Sequence, residues 1–491
     1  MVHKQTKRPI VLVALILSMF MAAIEGTIIA TAMPNIVSDL GGFTLYSWVF
    51  SSFLLMQAVT TMVYGKLADL FGRKPIFVIG VIIFLIGSLL CGLAESMTAL
   101  VVFRLIQGLG AGAIHPIVTT IVGDMYRLEE RAKVQGYLAS VWGISSVAGP
   151  LLGGMIVQYV DWAWIFWMNI PLGLIGLAGV VLFFHEKVDK EQKTIDYLGA
   201  SFSFIAISAL IIVFVQAGTN WAWLSPETLG LLSLFVIGIS LFIWQEKRCA
   251  APMMPLSLWK NKLMVIANIA TLLSGMIILG LSSFLPTYVQ GVMGESAIVA
   301  GFTLSTLSIG WPIASTLAGH LVLRIGFRKT AFLGGIALFA GTFFFFLLDA
   351  DKGPIYAGFS SFVVGIGMGL TSTTFIVAIQ NSVSWEARGS ATSLNMFMRI
   401  IGSAIGTALL GGILNLRLQQ YYQQQAIEDM PNTDAVLNEG IRETLSPETL
   451  ALMQDGLTHA FHTVFFCLFL IGTLTFVILW FFPKDMLSKE P

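Results

Sequence analysis

The segment GKLADLFGRK, residues 65–74, joins two apolar stretches, residues 46–66 and 75–93, and it decides the fold of the chain. Each stretch has about 20 residues, the length that an α-helix needs to cross the hydrocarbon core of a bilayer. The joining segment is short and basic, which is typical of a loop on the side of a membrane that retains positive charge. The stretch therefore predicts two membrane helices joined by a tight loop.

The composition of the whole chain agrees with a membrane protein. Of 491 residues, 56% are hydrophobic and 11% are charged, whereas a soluble domain has about 25% charged residues. The 27 Lys and Arg residues balance the 27 Asp and Glu residues, so no overall basic field favours a nucleic-acid partner. Cys91, Cys249 and Cys467 are too few and too far apart to support a disulfide framework or a zinc site. We expect no metal or other cofactor.

Fourteen segments are long and apolar enough to cross a bilayer as helices, the structure that satisfies the backbone polar groups in hydrocarbon. The sequence thus predicts an all-α integral membrane protein with both termini on one side. The predicted spans are 10–33, 46–66, 75–93, 98–122, 135–159, 165–184, 197–217, 227–245, 263–286, 298–321, 330–348, 355–379, 391–415 and 459–482.

The positions of the basic residues predict the orientation. Lys352, Arg417 and Arg442 fall in predicted outer segments, and Arg104 and Arg399 fall within spans. All other Lys and Arg residues lie on the side of the N-terminus, and the positive-inside rule places that side in the cytoplasm. The sequence therefore predicts a multi-pass protein of the cell membrane with both termini cytoplasmic.

A weaker copy of the 65–74 segment follows later in the chain. Gly319 and Gly326 match Gly65 and Gly72, and basic residues follow in both copies. Because the copies lie in loops eight spans apart, they indicate a parallel internal repeat.

The repeat predicts three parts. An N-terminal six-helix bundle takes residues 1–190, two inserted helices lie within 191–255, and a second six-helix bundle takes 256–491. The longest segment outside the spans, about 416–458, is predicted to be an external, partly helical loop with Ser446 as an N-cap.

Glu25 is an acidic residue in an otherwise apolar span. A charge near the bilayer centre costs about 2.5–3.5 kcal/mol on insertion scales, so it persists mainly where it has a partner, a water-filled cavity or a function. Removal from water favours the neutral form of a carboxyl group, which a reversible proton carrier needs. We predict that Glu25 carries protons; a structural ion pair that never titrates is the alternative.

Arg104 lies at a depth similar to that of Glu25, within roughly 3 Å at 1.5 Å per residue. The two side chains can therefore pair, either as a switch that responds to protons and substrate or as a static strut. His115 falls within about 20° of the Arg104 helix face and is either a proton relay or a hydrogen-bonded residue between helices. Further polar candidates for a cavity are Gln57, Gln107, Asn395 and Arg399.

Other chemistries find no support. The glycines at 108–112 have a spacing similar to a dinucleotide loop, but they lie in a membrane span and follow no strand. The sequence has no phosphate-binding loop and no nucleophile–base constellation. We therefore expect neither an ATP-driven pump nor an enzyme.

Four stretches resemble motifs of the major facilitator superfamily, and in particular of its fourteen-span drug:proton antiporters, which include bacterial multidrug efflux transporters. Glu25 stands where that family usually has Asp, and His115 replaces a usually apolar residue. The stretches are the Gly65–Lys74 loop, the span-four motif with Arg104, Gln107, Gly108 and Gly110, the span-five motif Gly149-Pro150-Leu151-Leu152-Gly153-Gly154, and the first-span motif Glu25–Pro34.

The resemblance implies a monomer that exports hydrophobic, often cationic, drugs in exchange for protons by a rocking cycle. Glu25 would take the proton, and Arg104 would tune the proton affinity of the Glu25 carboxyl group. A narrow exporter of one antibiotic class, of tetracycline or lincomycin type, or of a lipid or metabolite is the alternative, and a non-transporting receptor is a third. The inner gate would comprise Gly65, Asp69, Gly72, Arg73 and Arg131, and the span-five hinge would comprise Gly149, Pro150, Gly153 and Gly154.

Overall fold

The chain is helical throughout the part that the computed structural model describes, which is residues 6–41, 45–186, 196–217, 221–249, 256–425 and 446–483. Within these ranges the one strand-like feature is an isolated bridge between Ala217 and Trp221. Eleven helices in the same ranges are long and apolar enough to cross a membrane. The prediction of an all-helical chain with many membrane-length apolar helices is confirmed for the described residues.

Short 3-10 turns at Leu256–Lys260, Ala350–Lys352 and Trp385–Ala387 precede α10, α12 and α13. The α-helices are α1 (Arg8–Leu40), α2 (Tyr46–Phe71), α3 (Arg73–Gly92), α4 (Met97–Met125), α5 (Leu128–Tyr159), α6 (Trp164–Trp167), α7 (Asn169–Phe183), α8 (Tyr197–Gln216), α9 (Pro226–Arg248), α10 (Lys262–Gly291), α11 (Ala297–Phe346), α12 (Gly353–Ser382), α13 (Arg388–Gln424) and α14 (Pro447–Trp480).

The predicted repeat has a structural counterpart at two glycines. Gly72, between α2 and α3, has φ 95° and ψ 156°. Gly326 has φ 83° and ψ 168° and kinks α11, so that this 50-residue element consists of two helices. Residues with a Cβ essentially never adopt this backbone region. Both copies of the repeat therefore need glycine at the same place for the same reason.

Several helix bounds differ from the predicted spans. The span predicted at 165–184 is divided into α6 and α7, and Asn169 begins the second piece. Helices also extend into both ends of the predicted 416–458 loop, because α13 continues to Gln424 and α14 begins at Pro447. Hydropathy marks the part of a helix that fits in hydrocarbon, whereas polar residues continue the helix beyond it. Ser446 caps α14 as predicted, since its side chain accepts a hydrogen bond from the Thr449 N–H; residues 426–445 lie outside the described part.

The chain divides into two compact units. Unit 1 comprises the residues up to Val215, Leu224–Val265 and Phe375–Phe397, and unit 2 comprises Gln216–Trp223, Ile266–Thr374 and the residues from Met398 onward. Each unit is compact but discontinuous in sequence. The predicted sequence boundaries at 190 and 255 therefore stay a prediction.

Glycines on α4 allow close packing inside unit 1. A Cβ on Gly108 would collide with the backbone of Phe53 on α2, and one on Gly110 would collide with the backbone of Phe84 on α3. Helix α4 therefore lies directly against both neighbours, so Gly108 and Gly110 serve close helix packing. Helix α1 in turn packs on α5 and α7. This packing brings polar side chains of α1, α3, α4 and α7 together.

Candidate functional site

Glu25 is completely buried in unit 1, on α1. Nη1 of Arg104 donates a hydrogen bond to Glu25 Oε1 at 2.7 Å, and Nδ2 of Asn169 donates to Oε2 at 2.7 Å. Each carboxylate oxygen therefore has its own donor, one from α4 and one from α7. The predicted pair of Glu25 and Arg104 is present, and both partners are buried.

The guanidinium of Arg104 is held on several sides. Its Nε donates to the carbonyl of Val49 at 3.0 Å, and Nη1 also donates to Oε1 of Gln107 at 2.6 Å. Its Cζ lies 4.1 Å from the ring centroid of Phe53. Because a buried ion pair is stable only when its remaining hydrogen-bonding groups are also satisfied, these contacts explain how the charge of Arg104 is tolerated.

The hydroxyl of Ser88 on α3 supports this arrangement. Nε2 of Gln107 donates to Ser88 Oγ at 2.8 Å, and Nδ2 of Asn169 lies 3.5 Å from the same hydroxyl. The Oδ1 atom of Asn169 is buried without a hydrogen-bond partner among the described residues. We call Glu25, Arg104, Gln107, Asn169 and Ser88 the carboxylate network.

Asn169 and Ser88 were not predicted from the sequence. Ser88 gave no signal, because one serine in an apolar span is unremarkable. Asn169 did give one, since an Asn two residues before Pro171 marks a break within the sixth predicted span, and chain breaks expose polar groups that need partners.

The contacts within the carboxylate network depend on whether Glu25 is ionised or protonated. With Glu25 ionised, its charge cancels that of Arg104, and the amide of Asn169 donates to the second oxygen. Protonation of Glu25 removes the counter-ion of Arg104 and turns a hydrogen-bond acceptor into a donor. Proton uptake at this place therefore changes the interactions of three helices at once.

The other predicted cavity residues are not part of this network. The ring of His115 packs against Trp142 on α5, with 5.5 Å between centroids. Eleven helical residues separate it from Arg104, which is about 16 Å along the axis, so a shared helix face does not produce contact. Gln57 is half-buried on α2 and Asn395 is buried on α13. Arg399 belongs to unit 2, where its Cζ lies 5.7 Å from the ring centroid of Trp311.

Four of the five residues predicted for an inner gate lie at or near the α2–α3 turn: Gly65, Asp69, Gly72 and Arg73. Oδ1 of Asp69 accepts hydrogen bonds from the Gly389 N–H at 2.8 Å and from Nη2 of Arg73 at 3.1 Å. Oδ2 accepts from the N–H of Ser390 at 2.6 Å and from its hydroxyl at 2.7 Å. A Cβ on Gly65 would collide with Ser393, so α2 lies directly against the start of α13. Asp69 therefore fastens that start, which belongs to unit 1, to the α2–α3 turn.

Arg73 also contacts residues that were not predicted from the sequence. Its Nε lies 3.0 Å from Oδ2 of Asp124, and its Nη2 donates to the carbonyl of Trp385 at 2.6 Å. The indole ring of Trp385 lies 3.9 Å from Cζ of Arg73. Nη1 of Arg388 pairs with the other carboxylate oxygen of Asp124, Oδ1, at 3.0 Å. Arg73 is fully buried at the centre of this cluster.

Arg131 is the remaining residue predicted for the inner gate, besides Gly72, which lies between α2 and α3. Nη2 of Arg131 donates to the carbonyl of Tyr126 at 3.3 Å, and the side chain is close enough to Asp124 to interact with its charge. We call Asp69, Arg73, Asp124, Trp385 and Arg388 the turn cluster.

Gly149, predicted as part of a hinge, is a point of close contact between α1 and α5. A Cβ at this position would collide with Oγ1 of Thr27, which itself donates to the carbonyl of Ser145 at 3.0 Å. Gly153 is buried and Gly154 is half-buried. Helix α5 runs without interruption from Leu128 to Tyr159, and the side chain of Pro150 lies outside the described part. A hinge role for these residues stays a prediction.

Comparison with known proteins decides the family. The family model described as Major Facilitator Superfamily matches residues 15–407. The chain belongs to this superfamily. Its members are transporters rather than enzymes, and the protein is therefore a multi-pass membrane transporter of small molecules.

Two relatives come from Bacillus subtilis. Multidrug transporter protein MdtP is 35% identical over 418 residues, which cover 84% of this chain and 76% of the relative. Multidrug resistance protein 3 is 35% identical over 410 residues, which cover 84% and 80%. The resemblance to the multidrug efflux family is thus confirmed.

Solved structures agree on the fold. The human organic anion transporter MFSD10 matches with a TM-score of 0.66 and 13% identity, over 97% of this chain and all of that one. The proton:xylose symporter XylE matches with a TM-score of 0.62 and 12% identity, over 96% and 95%. The major facilitator fold is thereby shown for this chain.

Proposed function

We propose that the protein is a proton-coupled antiporter that exports hydrophobic, cationic drugs from the cytoplasm by alternating access. The observation that carries this proposal is the burial of Glu25 between Arg104 and Asn169. An acidic side chain inside a membrane span is a default candidate for a proton pathway. The multidrug relatives from Bacillus support the drug class and the direction of export.

In this mechanism Glu25 alternates between two states. The ionised form pairs with Arg104 and attracts a cationic drug from the inner side. Proton uptake from the outer side neutralises Glu25, releases Arg104 and lowers the affinity for the cation. The turn cluster, with Asp69 and Arg73 at its centre, holds the inner end in one state and opens in the other.

The finer architecture belongs to the same proposal. We infer fourteen spans, arranged as two six-helix bundles with two inserted helices, since α11 contains two helices joined at Gly326 and α8 is apolar between Leu198 and Val213. The basic residues support cytoplasmic termini in the cell membrane. We further propose a monomer that works without a cofactor, powered by the proton gradient.

Transport by the purified protein in proteoliposomes tests this function. An imposed pH gradient, with ethidium as the fluorescent drug, is expected to drive net movement that a protonophore abolishes. Equal movement with and without the gradient would contradict proton coupling. Resistance profiling of an expressing strain separates the alternatives, because protection against one compound class alone would favour the narrow exporter.

A further inference from the structure

Arg104 and Arg399 fall within the predicted apolar spans, and their surroundings differ. Arg104 in unit 1 has an acidic partner, two hydrogen-bond acceptors besides it and an aromatic ring. Arg399 in unit 2 has the ring of Trp311, but its Nη2 is buried without a hydrogen-bond partner among the described residues. The first charge is balanced within the protein and the second is not.

No ion pair compensates Arg399 elsewhere in the described part of unit 2, because all ion pairs found in the described ranges lie in unit 1. The start of α13 is at Arg388, so Arg399 lies about 16 Å along the helix from it. The described acidic residues of unit 2 belong to connecting segments or to the early turns of α14: Glu295, Asp349, Asp351, Glu448 and Asp455.

A guanidinium without an ion-pair partner inside a membrane span is costly. Insertion scales give about 2.5–3.5 kcal/mol at the bilayer centre, and such residues generally mark a functional pathway. Arg399 is half-buried, as is Trp311. Since contact of a cation with lipid is unfavourable, the exposed part of Arg399 belongs in a water-filled space. The pair therefore offers an aromatic face and a partly exposed guanidinium to a ligand.

The backbone around Arg399 is held firmly. Gly275 on α10 lies so close to α13 that a Cβ would collide with the carbonyl of Arg399, and Ser403 Oγ donates to the Gly275 carbonyl at 3.2 Å. The indole N–H of Trp311 donates to Ser372 Oγ at 3.3 Å. Both partners are thus positioned before a ligand arrives, which lowers the entropic cost of binding.

We propose that Arg399 and Trp311 form a subsite for an aromatic group that carries a carboxylate. A guanidinium forms two parallel hydrogen bonds with a carboxylate, and an aromatic ligand stacks on an indole. This inference rests on the proposed drug transport and extends its substrate class from simple cations to zwitterions.

Equilibrium binding of two matched dyes tests the subsite. Rhodamine 123 is the methyl ester of rhodamine 110, so the pair differs only in the free carboxylate. Binding is measured by fluorescence polarisation with the full-length protein in a non-ionic detergent, for wild type, Arg399→Gln, Arg399→Lys and Trp311→Leu. Arg417→Gln is the matched control, since Arg417 lies on the same helix, is exposed and bonds to Gln420.

The measured quantity is the ratio of the two dissociation constants, ester over acid. We expect Arg399→Gln to lower this ratio about tenfold, as hydrogen bonds between charged groups are strong; Arg399→Lys retains part of it and Arg417→Gln leaves it unchanged. Trp311→Leu is expected to weaken both dyes alike. Retained binding of rhodamine 123 shows that a variant is folded.

An unchanged ratio in Arg399→Gln would overturn the subsite, and so would a wild type that binds acid and ester equally. Should Arg399→Gln fail to fold, an unchanged ratio in Arg399→Lys has the same meaning. The assay needs no gradient, so it is independent of proton coupling. Loss of the subsite therefore leaves the antiport proposal standing, and failure of gradient-driven transport leaves the subsite standing.

Discussion

Glu25 and Arg104 tolerate burial because they occur together. Both side chains are almost entirely inaccessible, and the arginine also donates to two further hydrogen-bond acceptors and lies over an aromatic face. A single buried charge in the same place would face the full cost of removal from water. The pair therefore acts as one unit, and changes to its members are not additive.

This non-additivity gives the first prediction. Arg104→Gln leaves the Glu25 carboxylate buried without an ion-pair partner, and we expect the free energy of unfolding to fall by about 3–5 kcal/mol. The double variant Glu25→Gln/Arg104→Gln removes both charges and is expected to be more stable than Arg104→Gln alone. Reversible unfolding in mixed micelles measures all four proteins of the cycle. A double variant with the summed loss of both single variants would contradict a coupled pair.

Sequence reasoning found Glu25 and Arg104 because an ionisable residue in an apolar span is conspicuous. It missed Asn169 because an amide is common at helix ends, and only the tertiary packing of α7 on α1 shows where it points. The role of His115 stays open between the two predicted readings, because helix periodicity gives the face of a residue but does not say which neighbour covers that face.

At the scale of helices, α1 and α5 are in close contact at Gly149. Gly149 is buried against Thr27, two residues after Glu25. A methyl group there has to push α5 away from the helix that carries the buried carboxyl. Close approach of small residues is a common way to pack membrane helices.

The second prediction concerns this contact. We expect Gly149→Ala to lower both stability and gradient-driven transport, because overpacking typically costs about 1–3 kcal/mol. Thr27→Ala/Gly149→Ala is expected to restore part of the loss, since it removes the hydroxyl that the new methyl group meets. Gly301→Ala on α11 is the matched control, as nothing lies within 4 Å of a Cβ there. Equal effects of Gly149→Ala and Gly301→Ala would show that the contact is unimportant.

Helices were predictable as elements because crossing a bilayer requires about 20 apolar residues. Their ends were not, since the glutamine-rich end of α13 and the first turns of α14 stay helical beyond any apolar limit. The kink at Gly326 was foreshadowed by its match to Gly72, and the shared backbone angles give the physical reason for the match.

At the scale of the whole molecule, the turn cluster joins parts of the chain that are far apart in sequence. The Asp69 carboxylate binds Gly389 and Ser390, about 320 residues later. Composition and motifs located Asp69 and Arg73, but Asp124, Trp385 and Arg388 remained hidden, because each lies in a segment that no repeat or motif marks. The superfamily and its general fold were predictable from the sequence; these partners needed coordinates.

The third prediction compares a buried contact with an exposed one. Asp69→Asn removes one of the carboxylates beside Arg73, leaves Asp124 as its acidic partner, and weakens several buried hydrogen bonds, so we expect a loss of about 1–3 kcal/mol in the free energy of unfolding. Glu130→Gln breaks the pair of Glu130 and Arg8, whose side chains are more than half exposed, and is expected to cost less than about 1 kcal/mol. Unfolding in mixed micelles measures both variants, and comparable losses would argue against a structural role of the turn cluster.

The central claim is that Glu25 carries the coupling proton, and one measurement tests it most directly. Net ethidium transport driven by a pH gradient is compared with gradient-free ethidium exchange in proteoliposomes, for wild type, Glu25→Gln and the exposed control Glu95→Gln. We predict that Glu25→Gln loses net transport and retains exchange, while Glu95→Gln behaves as wild type. Net transport by Glu25→Gln at the wild-type rate and with the same pH dependence would contradict the account, because the coupling proton would then travel by another residue.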